Sequence, residues 1–241
     1  YPLRGEPRDV VEDVRRLGGF GIVAHPDSAK PGLQWQAWDV PVDAMEWLNA
    51  DSEWRDEPPL RLIRALIQYP FRPVETLGSL LDRPNAMLSK WDALTQRRRV
   101  VALAGADAHA RTAWMDDDAN GYRRGWFLTL PSYEVSFRTF AVRVAIDRPL
   151  GNDAADDATR IITALRAGRA HVGIDAVASP ASLEFSAAAD SHVAMQGDLF
   201  DVSGPVLFVA RVRGPAGGVI VLRKDGRIVT QGPVPELRFT S

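Results

Sequence analysis

The 241-residue chain reads as an α/β protein that turns all-β toward its carboxyl end, and three stretches carry that reading. The first is a helical repeat followed by Gly18-Gly19 and the apolar run Phe20-Gly21-Ile22-Val23-Ala24, which ends in His25-Pro26-Asp27. The second is Val100-Val101-Ala102-Leu103-Ala104-Gly105, which delivers Asp107 and His109 just past its end. Short continuous apolar runs of this kind suit buried parallel strands, whose carboxyl ends are where α/β folds place their chemistry. The third is a change of texture after Ala178, where helix formers thin out and short β runs take over.

In order along the chain, Val10, Val11, Val14 and Leu17 have helical spacing over 8–17, with Gly18-Gly19 as the C-cap. The apolar run 20–24 predicts a strand, and 28–41, with Pro31, Gly32, Trp35, Trp38 and Pro41, predicts a loop. Residues 42–49 predict a second strand with Glu46 and Asn49 near its end. Residues 59–68 and 74–81 predict two helices broken by Pro70 and Pro73. A helix over 85–98 leads into the strand at 100–105, and the Arg97-Arg98-Arg99 cluster suits a helix C-terminus, where cations complement the dipole. The polar segment 111–125, with Asp116-Asp117-Asp118, predicts a solvated loop without the regular spacing of a calcium loop. Strands are expected over 126–130 and 136–146, a helix over 159–167 stopped by Gly168, and a strand over 170–174.

Beyond Ala178, strands are expected over 182–187, 206–213, 219–223 and 227–230, the last two joined by the hairpin signal Asp225-Gly226. The expected organisation is therefore an α/β part over 1–177 and a small β-sandwich-like domain over 178–241.

Charge and composition exclude more than they assign. With 29 basic and 31 acidic residues, nothing in the balance suggests a nucleic-acid partner or an anionic membrane as a partner. No apolar run approaches the ~20 residues that span a bilayer. The absence of cysteine removes disulfides and thiolate ligands, so a metal would have to be held by histidine and carboxylates. It fits a cytosolic protein and equally allows an exported one. The chain opens on Tyr1 with no signal-peptide pattern, which suggests a processed chain or a piece of a longer one.

His25, Asp107 and His109 thus stand at two strand ends. Imidazole nitrogens and a carboxylate suit Zn²⁺, Mn²⁺ or Fe²⁺, ions that polarise a phosphoryl or carbonyl oxygen and lower the pKa of water. Taken singly, His-Pro also reads as a turn and Asp-Ala-His as a capping feature. His171 and His192 have no carboxylate or histidine partner at ligand spacing and read as structural. Trp35 and Trp38 suit either the wall of an apolar pocket or cover over the core.

Gly18-Gly19-Phe20-Gly21-Ile22-Val23-Ala24-His25-Pro26-Asp27 resembles the "Gly-Gly … Ala-His-Pro" segment of the PHP (polymerase and histidinol phosphatase) family. Ala44-Met45-Glu46-Trp47-Leu48-Asn49 is similar to that family's "apolar-Glu-apolar-apolar-Asn" strand, and Ala104-Gly105-Ala106-Asp107-Ala108-His109 resembles its closing "Ser/Gly-x-Asp-x-His" segment. Leu165-Arg166-Ala167-Gly168-Arg169-Ala170 resembles the "Leu-Arg-x-Gly-Arg" helix end of many members. The order agrees, the resemblance covers about residues 8–177, and the nearest subgroup is the CehA/McbA-like metallohydrolases, which append a small β domain.

The resemblance implies part of a distorted (β/α)7 TIM-like barrel with a metal site at its carboxyl face. By it, His25, Asp107 and His109 are metal ligands, while Asp27, Glu46, Asn49 and Arg111 are candidates for orienting ligands or contacting substrate. It also implies a metal-dependent hydrolase (a phosphoesterase or, as in the CehA-like branch, a carboxyl or carbamate esterase) acting on a small-molecule ester, with zinc, manganese or iron as cofactor. One departure stands out: the family's opening His-x-His is absent, and the chain has only four histidines. The expectation is an incomplete cluster that holds one ion weakly, in a chain that is inactive by itself. The alternative is a non-catalytic barrel remnant that binds or docks a partner. Substrate, oligomeric state and compartment have no signal in the sequence.

Overall fold

The computed structural model describes residues 5–110 and 130–241. It is a mixed α/β structure with seven α-helices among the described residues, and none of its sheets closes into a barrel. All but Leu130 of the expected strand at 126–130, together with Arg111 and Asp116-Asp117-Asp118, lies outside the described residues.

Helix α1 (Pro7–Arg16) starts on a proline, carries Asp9 in its first turn and ends on Arg15 and Arg16, charges that match its dipole. Gly18 then takes a left-handed φ of 76° that ends the helix. The strand that follows is short, β1 (Ile22–Val23), and runs parallel to β2 (Ala44–Asn49), which runs parallel to β3 (Val101–Gly105). This open three-stranded sheet is covered on both faces, as parallel sheets require. On one side Val11, Val23, Val42, Met45, Met87, Leu94 and Val100 form the core, with Trp35, Trp38 and Trp91 packed against it. Trp35 and Trp38 therefore cover the core. On the other side Ala44, Val101 and Leu103 meet Phe20, Val142, Leu165 and Ala170.

Between β2 and β3 lie α2 (Ala50–Arg55), α3 (Pro59–Gln68), α4 (Pro73–Gly78) and α5 (Asn85–Thr95). Helix α2 had no counterpart in the sequence reading. The Asn49 side chain starts it by accepting the Ser52 N–H at 3.0 Å. The arginine cluster after α5 serves a different purpose from the expected cap. Arg98 donates to the carbonyls of Val42 and Val40 at 3.0 and 2.9 Å, fixing the chain entering β2.

Residues 136–146, expected as one strand, divide instead. Ser132 accepts the Val135 N–H at 3.3 Å and nucleates α6 (Tyr133–Thr139), after which β4 (Ala141–Val144) begins. The N-cap serine overrides the β-branched composition of the stretch. Strand β4 pairs antiparallel with β5 (Ala170–Gly173), across α7 (Ala154–Arg166), which Asp153 caps. His171 lies on β5, where burial first, and Arg143 second, lower its pKa; its Nε2 has no hydrogen-bond partner among the described residues. His192 sits at the start of the short edge strand β7 (His192–Met195).

The carboxyl-terminal strands are β6 (Ser182–Ala189), β7, β8 (Leu207–Arg213), β9 (Val219–Lys224), β10 (Arg227–Pro233) and β11 (Glu236–Thr240). They form a four-stranded antiparallel sheet in the order β11-β8-β6-β7 and a β9–β10 hairpin. Phe185, Phe208 and Phe239 stack across three of these strands with centroids 6.1 and 6.5 Å apart. The hairpin turns at Asp225 (φ 49°) and Gly226 (φ 75°), the paired positive φ values of the tight turn that Asp-Gly favours. The β strands lean on the α/β part through Arg169–Asp198 at 3.0 Å and through Arg99, which donates to the Gly197 carbonyl at 2.5 Å.

Candidate metal centre

The site is assembled where the three parallel strands end. Strand β2 leaves its regular register between Glu46 and Leu48. Residues three apart in a regular strand face opposite ways, and an irregularity at Trp47 puts Glu46 and Asn49 on the same side. Asn49, 3% exposed, then works with both ends of its amide. Its Nδ2 donates to Glu46 Oε2 at 2.8 Å while its Oδ1 caps α2. The same Glu46 oxygen accepts the His25 backbone N–H at 2.7 Å. Glu46 Oε1 lies against Gly105, where an added Cβ would stand only 1.9 Å from it. One carboxylate thus ties together the ends of β1, β2 and β3. Glu46 and Asn49, named above as candidates for orienting ligands, meet at this junction.

His25 and Asp107, the residues just beyond β1 and β3, both adopt left-handed backbones, with φ of 34° and 44°. Side chains other than glycine rarely sit there, and such strain gathers at functional sites. His109 Nδ1 lies 2.6 Å from the Asp107 carbonyl oxygen. With a proton on Nδ1 shared to that carbonyl, the Nε2 lone pair is left for a ligand role. Asp107 Oδ1 is 3.6 Å from the same ring nitrogen.

Asp107 and His109 do come together with a third residue, and it is Asp51 rather than His25. One ligand atom from each of Asp51, Asp107 and His109 lies within 4.8 Å of the other two. Ligand atoms held ~2.1 Å from a metal stand about 3–4 Å apart, so this trio is near the spacing of a single ion. Asp51, Asp107 and His109 line a recess of about 20 Å³ with Ala50, Trp54, Leu77, Pro131 and Ser136, room for about one water or one ion. A larger cleft of about 820 Å³, walled by Trp47, Trp91, Phe185 and Phe208, contains none of the expected site residues that are among the described ones.

The donor set, two carboxylates and an imidazole, fits the hard-to-borderline divalent ions that the sequence suggested. One feature pulls the other way. Asp51 already accepts Arg55 Nε at 2.7 Å, Arg55 Nη2 at 3.0 Å and Trp54 Nε1 at 3.0 Å. Sequence reading missed Asp51 because it missed α2; the Asn49 cap followed by Asp51 and Glu53 in the first turn was the available signal.

His25 stands apart from the trio, and its buried Nδ1 has no hydrogen-bond partner among the described residues. Asp27 has its pKa raised by burial, with Asp56 adding to the rise while its own backbone N–H and His25 oppose it. Glu53 is pushed to about 7, first by burial and then by the charges of Asp82, Asp56 and Asp27, against a backbone N–H of Asp82. No family model, curated protein or solved structure matches the chain.

Proposed function

We propose that the chain is part of a metal-dependent hydrolase of PHP type that acts on a small-molecule ester, carrying an incomplete share of the metal site, its α/β part belonging to a distorted barrel and residues 178–241 to an appended β domain. The observation that carries this reading is the convergence of Asp51, Asp107 and His109 at the carboxyl end of a parallel sheet. The left-handed backbones at His25 and Asp107 support it, as does the unpartnered Nδ1 of His25, since buried polar atoms are rarely left without a partner. Asp51, Asp107 and His109 would hold zinc, manganese or iron. Such an ion supplies Lewis acidity and makes water a nucleophile at neutral pH. Around it, Glu46 holds the strand ends in place, and the Asp107 carbonyl orients the His109 ring.

A second reading rests on the Arg55 pair. If Asp51 is wholly engaged by Arg55 and Trp54, the trio is an ion-pair network and the chain is a binding or docking protein. Titration of chelator-treated protein with Mn²⁺ and with Zn²⁺ separates the two. The hydrolase reading expects one ion per chain, and loss of more than about 100-fold in affinity in Asp107→Asn and in His109→Ala, because even outer-shell losses cost ~10–100-fold. Because the family's opening His-x-His is absent from the sequence, turnover of phosphate, carboxyl or carbamate esters is expected only where further ligands complete the site, not from the chain by itself. Absence of saturable metal binding would leave the docking reading.

A further inference from the structure

We propose that helix α3 is a docking surface for an anionic lipid bilayer, an inference independent of the metal site. At about 100° per residue, Leu60, Ile63, Leu66 and Ile67 fall within an arc of about 120°. These side chains are not core. They are 78, 56, 53 and 66% exposed, and Phe71, just past the helix end, is 83% exposed. The opposite side of the helix does the packing, through Ala65 against Leu77 and Leu80. A contiguous apolar face of this kind on a folded surface marks an interaction site.

Charge selects the occupant. From Pro58 to Val74 there is no acidic residue, and the arginines are Arg61, Arg64 and Arg72. Arg61 is committed to Glu57 and Asp82. Arg64 and Arg72 have exposed side chains that form no ion pair among the described residues. Arg64 falls about 40° beyond Leu60, at the boundary between the apolar arc and the polar flank. Apolar arc and flanking cations are the pattern of a helix lying in the plane of a membrane interface. A second copy of the chain fits less well. A ten-residue helix is about 15 Å long, so one face covers only a fraction of the ~800 Å² per partner that a stable interface needs.

The chain's formal net charge of −2 repels an anionic surface as a whole, so attraction has to be local. The test is co-sedimentation of the full chain with phosphatidylcholine vesicles, with and without phosphatidylglycerol. Partition onto the phosphatidylglycerol vesicles is expected, falling as salt is raised. Arg64→Gln should weaken it about fivefold, given ~1 kcal/mol per basic residue at such a surface. The double substitution Ile63→Glu with Ile67→Glu should weaken it more than about tenfold, since each isoleucine loses its apolar burial, while the thermal melt stays unchanged. Should the double variant fail to fold, Arg64→Gln and the salt dependence still decide. The proposal is overturned by no partition at low salt, or by equal partition of the variants and the parent. A dimer in sedimentation that Ile63→Glu with Ile67→Glu dissociates would overturn it too, assigning the face to a second copy.

Discussion

Gly105→Ala is expected to destabilise the fold by about 2–4 kcal/mol, an unusually large effect for the addition of one methyl group. The new Cβ would stand 1.9 Å from Glu46 Oε1 and 2.6 Å from its Cδ, so the carboxylate has to leave. A flexible side chain ordinarily moves at little cost, but this one is held. Its Oε2 accepts both the His25 backbone N–H and Asn49 Nδ2, and hydrogen bonds to a charged acceptor contribute about 1.5–3 kcal/mol each. Displacing Glu46 leaves both donors unpaired at a part-buried junction. The same reasoning predicts strong coupling. In a Glu46→Ala background the clash is gone and the donors are already unpaired, so Gly105→Ala should cost less than about 1 kcal/mol. Urea unfolding of the two single variants and the double variant measures this directly. Equal costs of Gly105→Ala in the two backgrounds would show that Glu46 does not lie against Gly105.

That junction also shows where sequence reading stops. The apolar runs ending at His25 and at Asp107 were visible as strands because both faces of a parallel sheet are buried, and such strands cannot alternate. The Asp225-Gly226 hairpin was visible because its turn requires two positive φ values. The closeness of Glu46 and Asn49 was not, because three residues apart on a regular strand means opposite faces, and only the irregularity at Trp47 reverses that. Asp51 was hidden for a related reason. Helix α2 is six residues long, too short for an apolar period to show, and it exists because one buried asparagine caps it. The helix α6 escaped similarly, its serine cap outweighed in the reading by valine and phenylalanine. Exposure is the hardest property to read. The periodic leucines and isoleucines of α3 look like a core face in sequence, and only the structure shows that the packing side is the one through Ala65. The near-neutral charge of the whole chain likewise conceals an acid-free stretch around that helix.

Glu53→Gln should change how stability depends on pH more than any other single substitution near the site. Glu53 is 5% exposed, and among the described residues its Oε2 accepts only the Asp82 N–H, at 3.2 Å. Burial, then the charges of Asp82, Asp56 and Asp27, lift its pKa from 4.5 to about 7. A carboxyl that is harder to ionise folded than unfolded makes the native state bind more protons between those two values. Its contribution to stability is therefore fully present below pH 4.5 and is lost as pH rises toward 7. At about 1.4 kcal/mol per pH unit across that window, the loss is about 3–4 kcal/mol at most. Asp27 and Asp56, also raised by burial, slope in the same direction over their own ranges. Glutamine keeps an acceptor for the Asp82 N–H and carries no charge to desolvate. The variant should match the parent within about 1 kcal/mol at pH 4.5 and exceed it at pH 8, with urea unfolding run in chelator so that no ion at Asp51 enters the comparison. A parent protein whose stability is flat from pH 4.5 to 7, or a variant that keeps the parent's full slope, would mean that Glu53 ionises as readily in the folded chain as in the unfolded one.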